Sequence, residues 1–300
     1  MNLLSENVIF FMRLSWLQPL IFQAKSAIMK LIFHERKGKL MAIISMKNVN
    51  LRKQGKDLLQ DINWTVEKGQ TWAILGLNGA GKTTLLKLIM AELYPSQGEI
   101  NILGTQFGQG DITKLRKRIG IVSGFITDRL SLHLFAEQAV LTGKYKSSIL
   151  YKDYGSKELT EARDMLTSLG GQALIGRRLY TLSQGERQLI MIARCLMEEP
   201  DIIILDEATV GLDLFAREKL LKQVDRITEL PHAPHVLYVT HHAEEITQKM
   251  DHVLLLKQGR IIAQGKKEDI ITVPTLTEFF DNKVSIIPID AHRFFIKPEL

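Results

Sequence analysis

Cysteine is nearly absent from the 300-residue sequence, which contains only Cys195. A single cysteine cannot form a disulfide within the chain, so the disulfide-stapled scaffolds of small secreted proteins are excluded and a reducing compartment is favoured. No activating partner for a thiol is visible near it. We therefore predict that Cys195 is a small core residue rather than a nucleophile.

Long apolar runs are also lacking. Near the start of the chain, "VIFFM" and "LSWLQPLIF" are apolar, but Arg13 and Pro19 interrupt the stretch. No run reaches the roughly 18 residues that a membrane-spanning helix needs. A secretory signal would have a longer apolar core and a small-residue cleavage site, and neither is clear.

The leader, residues 1–40, is open to three interpretations. It is an extension from a misassigned start codon, an amphipathic interfacial helix, or an arm that packs on the domain. We favour the first, because Met41 and Met46 stand where a recognisable domain pattern begins.

A strong excess of charge of one sign is absent from the rest of the chain. The formal net charge is +6, and residues 1–40 contribute +4 through six basic and two acidic residues. Residues 41–300 therefore carry only +2. This balance predicts no domain-wide basic patch, and we expect no nucleic-acid partner.

Apolar periodicity changes along the chain as in mixed α/β proteins. "MKNVNLRK" and "LLQDINWTV" alternate apolar and polar residues and are joined through Gly55-Lys56, which predicts two antiparallel strands. The run Ile202–Leu205 does not alternate, as expected for a central parallel strand buried on both faces. Further strands are predicted at "TWAILG", "RIGIVS", "HVLYVT" and "HVLLLKQGRIIAQG", and helices at 83–93, 131–143 and 157–169.

These elements predict a single α/β domain over residues 41–272. It has a parallel-sheet core, an antiparallel β flank and a helical insert at about 125–190. Residues 273–300 are predicted to form a C-terminal tail.

The first chemical motif is "GLNGAGKTT", which lies between a predicted strand and a predicted helix. It matches the phosphate-loop pattern G-x-x-x-x-G-K-[ST], and the fold class is therefore a P-loop NTPase. Glycines let backbone N–H groups converge on phosphate oxygens, and the helix N-terminus adds its dipole. Lys82 is placed to contact the β- and γ-phosphates, and the Thr83 hydroxyl to bind Mg²⁺. The candidate phosphate-binding residues are Gly76, Asn78, Gly79, Ala80, Gly81, Lys82, Thr83 and Thr84.

The second motif is an acidic pair, Asp206 and Glu207, at the end of the buried strand in "PDIIILDEAT". Neighbouring side chains on a strand point in opposite directions, so the two carboxylates cannot serve one metal ion in the same way. Asp206 suits the Mg²⁺ shell, and Glu207 suits the general base that activates water.

A third motif, "VTHHAEEI", places His241 at a strand end. We expect His241 at the same sheet edge as Glu207, where it could hydrogen-bond a terminal phosphate. Glu244 and Glu245 are predicted to fall on a helix, and no fourth ligand has suitable spacing, so a metal site is not favoured.

A second helix start is predicted in "TLSQGERQLIMIARCL". Ser183 and Glu186 are spaced as a capping box, with Gly185 between them. A helix N-terminus without bulky side chains attracts anions through its free N–H groups and its dipole.

These segments, in this order and spacing and together with "VGLD" at 210–213, resemble the ATP-binding cassette of ABC transporters. The resemblance covers residues 46 to about 270. It implies that two cassettes pair head to tail, and that Ser183 and Gly185 of one cap the γ-phosphate of ATP held by the other. It also makes His241 the switch histidine and Asp213 the aspartate that couples the two sites. ATP and Mg²⁺ are the implied cofactors.

One departure from the family pattern concerns Mg²⁺. Where the family has a glutamine after the "IGIVS" strand, this chain has Gly124. That glutamine touches Mg²⁺ and couples to the membrane subunit in the family. Its contact is therefore absent here, or is replaced by Ser123 or Thr127.

Two further departures concern adenine and the catalytic pair. The aromatic residue that stacks on adenine has no counterpart, and Arg52 or Lys53 occupies its region. Arg52 is our candidate, because a guanidinium plane can stack on a base. The proline that follows the catalytic glutamate in the family is Ala208, a change expected to matter little.

Two classes of function are open. One is the ATP-hydrolysing subunit of a transporter, peripheral on the cytoplasmic face of the membrane. It would pair with a second copy of itself or a paralogous cassette, and with a separate permease. The other is a soluble ABC-type ATPase acting on ribosomes, DNA or repair complexes. Such proteins usually have two fused cassettes or a coiled-coil insertion, which this chain lacks, so transport is favoured. Details such as "VSGFITDR" look most similar to stand-alone cassettes of the molybdate-transport type.

Overall fold

The computed structural model of the chain describes residues 42–123, 130–147 and 154–299. The leader lies outside these ranges, as do Gly124 and Thr127. The interpretations of the leader, and any replacement of the family glutamine by Thr127, therefore stay predictions.

Strands and helices alternate through most of the described residues. The strands are β1 (Ala42–Lys53), β2 (Lys56–Glu67), β3 (Trp72–Leu75), β4 (Gln97–Ile102), β5 (Thr105–Gln106), β6 (Ile119–Ser123), β7 (Ile202–Asp206), β8 (His235–Thr240), β9 (His252–Lys257), β10 (Arg260–Lys266), β11 (Val284–Pro288) and β12 (Phe294–Pro298). The helices are α1 (Lys82–Ile89), α2 (Ile112–Arg116), α3 (Ala136–Lys144), α4 (Ser156–Ser168), α5 (Gln184–Leu196), α6 (Leu214–Asp225), α7 (Lys267–Ile270) and α8 (Val273–Phe280).

The central sheet has the strand order β10-β9-β3-β8-β7-β6. Its strands from β9 to β6 run parallel, and β10 is antiparallel to β9. In β7, Ile202 and Ile204 join one hydrophobic cluster, and Ile203 and Leu205 join the other. The prediction of a central strand buried on both faces is therefore confirmed, and the carboxyl ends of the parallel strands share one edge.

The antiparallel flank is a second sheet with the order β2-β1-β4-β5. The predicted strand pair is present as β1 and β2. The backbone turns between them at Gln54 and Gly55, where φ is +50° and +77°. Met46, Ile62 and Trp64 of this flank are buried in the same hydrophobic cluster as Ile202.

The helical insert contains α3, α4 and the start of α5. The helix predicted at 131–143 begins later, at Ala136, because Phe135 is extended and forms a β-bridge with Arg178. The Gln138 side chain accepts a hydrogen bond from the Phe135 N–H at 3.0 Å, and this contact caps the N-terminus of α3. The helix predicted at 157–169 is present as α4.

The helix predicted at 83–93 is shorter than expected. It is present as α1, which ends at Ile89, and Ala91 has φ +55°. Cys195 is buried on α5 as predicted, and burial raises the pKa of its thiol to about 12.

The segment predicted as a C-terminal tail is folded over residues 273–299. It forms α8 and the antiparallel hairpin of β11 and β12. Val284 and Phe294 of the hairpin and Phe279 of α8 belong to the main hydrophobic cluster. This segment therefore contributes to the core, although the sequence pattern did not predict its elements.

Candidate functional site

The loop between β3 and α1 has the backbone that the phosphate-loop motif requires. Gly81 precedes α1 with φ +105°, a left-handed conformation that favours glycine. A Cβ on Gly76 would lie 2.8 Å from the carbonyl oxygen of Leu256. No side chain caps the N-terminus of α1, so its first backbone N–H groups are available to an anion.

Lys82 is buried at the first position of α1, with only 7% of its surface exposed. Its ammonium donates to the carbonyl oxygens of Gly76, at 2.7 Å, and Leu77, at 3.4 Å. The same nitrogen lies 3.4 Å from Oε1 of Glu207. A buried ammonium needs such partners, and phosphate oxygens are chemically equivalent replacements for them.

Asp206 ends β7 at the same edge of the sheet. It is paired in register with Ser123 at the end of β6. Burial raises the pKa of the Asp206 carboxyl, and the negative charge of Glu207 raises it further, whereas Lys82 lowers it. Bringing a cation to this carboxylate would relieve that unfavourable environment.

Glu207 and His241 face each other at this edge, as predicted. His241 Nδ1 lies 3.2 Å from Glu207 Oε1. Glu207 has φ +50°, which is unusual for a residue with a side chain and must be held by its surroundings. The His242 ring contacts the His241 ring at a tilt of 39°, with ring centroids 4.1 Å apart, and the His242 side chain is 42% exposed.

Lys82, Asp206 and Glu207 line a cleft of about 860 Å³, whereas the predicted site residues Gly76 and His241 are not among its lining residues. Of the predicted site residues, the cleft is lined by Asn78, Gly79, Ala80, Gly81, Lys82, Thr83, Thr84, Asp206 and Glu207. Ser123 lines it as well. Leu58 of β2 and the turn residues Gln258 and Gly259 also line it, although no local motif predicted them.

Arg52 lies beside the cleft rather than in its lining. Its guanidinium donates to the carbonyl oxygen of Gly55 at 3.3 Å and lies 3.6 Å from Asp57, which does line the cleft. The Arg52 side chain is 66% exposed, so its plane is accessible to a base.

The signature segment has the predicted capping box. The Ser183 hydroxyl accepts from the Glu186 N–H at 3.2 Å, and the Glu186 carboxylate accepts from the Ser183 N–H at 2.8 Å. Hydrogen bonds from Ser183 and Arg177 lower the pKa of Glu186 against an opposing effect of its burial. Ser183 and Gly185 are not among the residues lining the cleft of their own chain.

Asp213 also has a local structural role. Its carboxylate caps α6 by accepting from the Ala216 N–H at 2.9 Å. Gln184 of the signature segment donates to the carbonyl oxygen of Val210 at 3.2 Å, which links the start of α5 to the loop that ends at Asp213. The sequence motifs did not predict this link.

The side chains of the cleft fit a hard divalent cation that is also bound by phosphates. Thr83 and Asp206 line the cleft and carry side-chain oxygens, the ligand type that Mg²⁺ prefers. Within the described ranges, no group of three or more His, Cys, Asp and Glu side chains could hold a metal ion by itself. Mg²⁺ characteristically binds through one or two protein oxygens, water and substrate phosphates, which matches this set.

Comparisons with known proteins agree with this geometry. The family model described as ABC transporter matches residues 59–210. An ABC transporter ATP-binding protein of Streptococcus mutans is 65% identical over 260 residues, which is 87% of this chain and 100% of that protein. The molybdenum import ATP-binding protein ModC of Brucella suis is a more distant relative. It is 32% identical over 74% of this chain and 60% of its own length.

A solved structure shares the fold. CbiO1 of Clostridium perfringens, part of the ABC transporter complex CbiONQ, is 27% identical with a TM-score of 0.68, over 79% of this chain and 93% of that chain. Among the residues described here, no helix is both long and apolar enough to cross a membrane. The motifs, the fold and these relatives together place the chain in the family of ABC transporter ATP-binding proteins.

Proposed function

We propose that this protein hydrolyses ATP and drives a separate membrane permease through nucleotide-dependent closure of a dimer. One observation carries the proposal. Lys82, Glu207 and His241 lie in a continuous chain of polar contacts, at 3.4 Å and 3.2 Å, at the carboxyl edge of the parallel sheet. Lys82 and Glu207 line the cleft, and His241 contacts Glu207 from beside it, so an ammonium, a carboxylate and an imidazole lie within reach of a ligand bound there.

The first step is an exchange of partners at Lys82. The phosphates bind the glycine-rich loop and the N-terminus of α1, and their oxygens replace the carbonyl of Gly76 and the carboxylate of Glu207 as partners of the ammonium. Glu207 is then free to orient water and accept its proton. His241, released from Glu207, donates to the γ-phosphate.

Thr83 and Asp206 would hold Mg²⁺, with Ser123 nearby in place of the family glutamine. When bound, the ion neutralises charge on the phosphates. Arg52 would stack its guanidinium plane on adenine from the exposed side of the cleft.

The signature helix serves the other chain of the dimer. Ser183 and Gly185 present an N-terminus that suits an anion, yet they do not line the cleft that holds Lys82 in their own chain. A second copy, or a paralogous cassette, would bring this N-terminus to the γ-phosphate. Asp213, at the cap of α6, would couple the two sites.

A permease partner and a peripheral position on the cytoplasmic face complete the proposal. The similarity to CbiO1, part of an ABC transporter complex, favours this role over a soluble ATPase that acts on ribosomes or DNA. The domain boundaries are proposed as residues 41–272 for the cassette and 273–300 for the segment that follows.

The substitution Glu207→Gln tests the proposed chemistry. It keeps the shape of the side chain but removes the base, so ATP hydrolysis should fall by about 100-fold or more while ATP still binds. Glu229→Gln is the matched control, because Glu229 is exposed and pairs only with Lys249 among the ion pairs of the described residues. Hydrolysis by Glu207→Gln at the rate of the control would contradict the assignment.

A further inference from the structure

Glu245 is a buried carboxyl group that the proposed chemistry does not use. Only 1% of its surface is exposed, and the helix on which it was predicted to fall is a single 3₁₀ turn, Ala243–Glu245. Its neighbour Glu244, rather than Glu245, approaches Arg217, at 3.6 Å. Burying a carboxyl group is unfavourable unless hydrogen bonds compensate it.

Three hydroxyl groups supply that compensation. Thr209 Oγ1 donates to Glu245 Oε1 at 2.5 Å. Thr240 Oγ1 and the Tyr238 hydroxyl donate to Oε2, at 2.6 and 3.0 Å. All three donor residues are buried, and burial together with the charge of Glu245 raises the pKa of Tyr238 well above its usual value.

Tyr238 lies within β8, whereas the other two donors lie in the two catalytic loops, residues 207–209 and 240–242 at the ends of β7 and β8, which carry the proposed catalytic pair. Thr209 follows Glu207 by two residues, and Thr240 immediately precedes His241. Thr240 Oγ1 also accepts from the His242 N–H at 2.9 Å, which fixes the turn beyond His241. Glu245 therefore joins the end of β7 to the end of β8 directly behind the 3.2 Å contact between Glu207 and His241.

We propose that Glu245 is a positioning residue that sets the relative placement of Glu207 and His241 through the hydroxyls of Thr209 and Thr240. This inference rests on the proposed ATP hydrolysis and adds a determinant of its rate. The backbone of Glu207 has the unusual φ of +50°, and we expect the network to help maintain that conformation. Such a conformation persists only when the surrounding structure holds it. The Glu207 N–H donates to the Val239 carbonyl at 2.9 Å, and Thr209 adds a side-chain anchor two residues further on.

Disruption of this network should lower kcat for ATP hydrolysis rather than weaken ATP binding. The phosphates bind the loop after β3 and the N-terminus of α1. Among the described residues, that loop meets the network where the Gly76 N–H donates to the Thr240 carbonyl at 3.2 Å, and not at Thr209 or Glu245. A displacement of about 1 Å in a catalytic group can lower a rate by up to about 100-fold. Loss of one anchoring hydroxyl should therefore lower kcat by about tenfold and change KM by less than about twofold.

Three substitutions in the full-length protein test the proposal. Thr209→Val keeps the size of the side chain and removes the hydroxyl, whereas Thr209→Ser keeps the hydroxyl. Glu245→Gln removes the negative charge while preserving the shape. Steady-state kcat and KM for Mg·ATP are measured with the melting temperature of each variant, and Thr209→Val carries the test if Glu245→Gln fails to fold.

Thr247→Val is the matched control. Thr247 is also buried and donates to a carboxylate, Asp225 Oδ1, at 2.6 Å, but it lies outside the two catalytic loops. The control should lower the melting temperature and leave kcat unchanged. The proposal expects a tenfold lower kcat for Thr209→Val and Glu245→Gln at similar KM, with recovery in Thr209→Ser.

The remaining outcomes overturn the proposal in distinguishable ways. If the wild type hydrolyses ATP and Thr209→Val loses only thermal stability, as the control does, the network is structural and the proposed function stands. A fall of kcat in Thr209→Ser as large as in Thr209→Val would also contradict positioning by the hydroxyl. A wild-type protein without ATP hydrolysis would overturn both the inference and the proposed function.

Discussion

At the scale of a single residue, Asp206 lies in surroundings that disfavour its own negative charge. Its carboxyl is partly buried and lies beside the carboxylate of Glu207, and both effects raise its pKa. A carboxyl group whose pKa is raised by folding destabilises the folded state wherever it is ionised. The penalty is relieved as the pH falls through the raised pKa.

Replacement of this carboxylate should therefore stabilise the nucleotide-free protein. Asp206→Asn should raise the melting temperature at pH 7 by about 2 °C or more, since 1 kcal/mol corresponds to about 2–4 °C in a protein of this size. The gain should shrink as the pH falls through the raised pKa of Asp206, because the wild-type carboxyl then takes up a proton and loses its charge as well.

Thermal unfolding without nucleotide, measured from pH 7 down to pH 4, checks this prediction. Mg·ATP should stabilise the wild type more than the variant, because the ion loses a carboxylate ligand. A lower melting temperature for Asp206→Asn at pH 7 would contradict the proposed burden of the buried charge.

At the scale of secondary structure, the N-terminus of α5 combines two features. It is capped by side chains of its own chain, and in the proposed function it also contacts a phosphate. The Ser183 hydroxyl and the Glu186 carboxylate satisfy two backbone N–H groups reciprocally. The ion pair between Glu186 and Arg177, at 2.9 Å, holds that carboxylate in place. The cap therefore forms within one chain, before any second chain approaches.

Loss of this cap should have a measurable cost. Ser183→Ala should lower the free energy of unfolding by about 1 kcal/mol, the usual value for an N-cap serine. Urea unfolding of the nucleotide-free protein measures the change. Ser156→Ala is the control, because Ser156 is the first residue of α4 rather than its cap, and its effect should stay below about 0.5 kcal/mol. Equal stability of Ser183→Ala and the wild type would show that the cap does not contribute.

The capping box and the phosphate loop could be predicted because their information is local. Ser183 and Glu186 are three residues apart, and the glycines of the loop precede Lys82 directly. Elements that depend on distant partners were missed. The start of α3 depends on the bridge between Phe135 and Arg178, and the role of Glu245 depends on Thr209, which is far away in the sequence.

The same limit applies to the last segment of the chain. Residues 273–300 have little pattern of their own and were predicted as a tail. Val284 and Phe294 nevertheless pack in the main core. Their hairpin gains its stability from that packing, because an isolated pair of strands is only marginally stable.

At the scale of the whole molecule, residues 41–300 contain all of the proposed machinery. The earliest described strand begins at Ala42, and the Streptococcus mutans relative aligns along its full length with 260 residues of this chain. A protein that starts at Met41 should therefore fold and hydrolyse ATP at a rate within about twofold of the 300-residue form. Circular dichroism and ATPase assays on the two forms check this, and insoluble or inactive protein from the shorter form would show that the leader belongs to the core.

The central claim is that each ATP site is built from two chains. Within one chain, Lys82 and Ser183 line different pockets, so they cannot contact the same phosphate there. Lys82→Ala removes the phosphate-binding cation, and Ser183→Arg places bulk and a cation at the helix N-terminus. Each variant should be inactive alone. A mixed dimer would join intact Lys82 from one chain to intact Ser183 from the other, giving one whole site and one doubly altered site.

Mixing the two inactive variants is the most direct test. Random pairing makes about half of the dimers mixed, so about a quarter of all sites become whole, and ATPase activity should rise in proportion to the mixed-dimer fraction. Differently tagged chains allow that fraction to be measured in the same samples. Activity that tracks it is the predicted result. If mixed dimers form and activity remains absent at every mixing ratio, an independently acting site shared between two chains is contradicted.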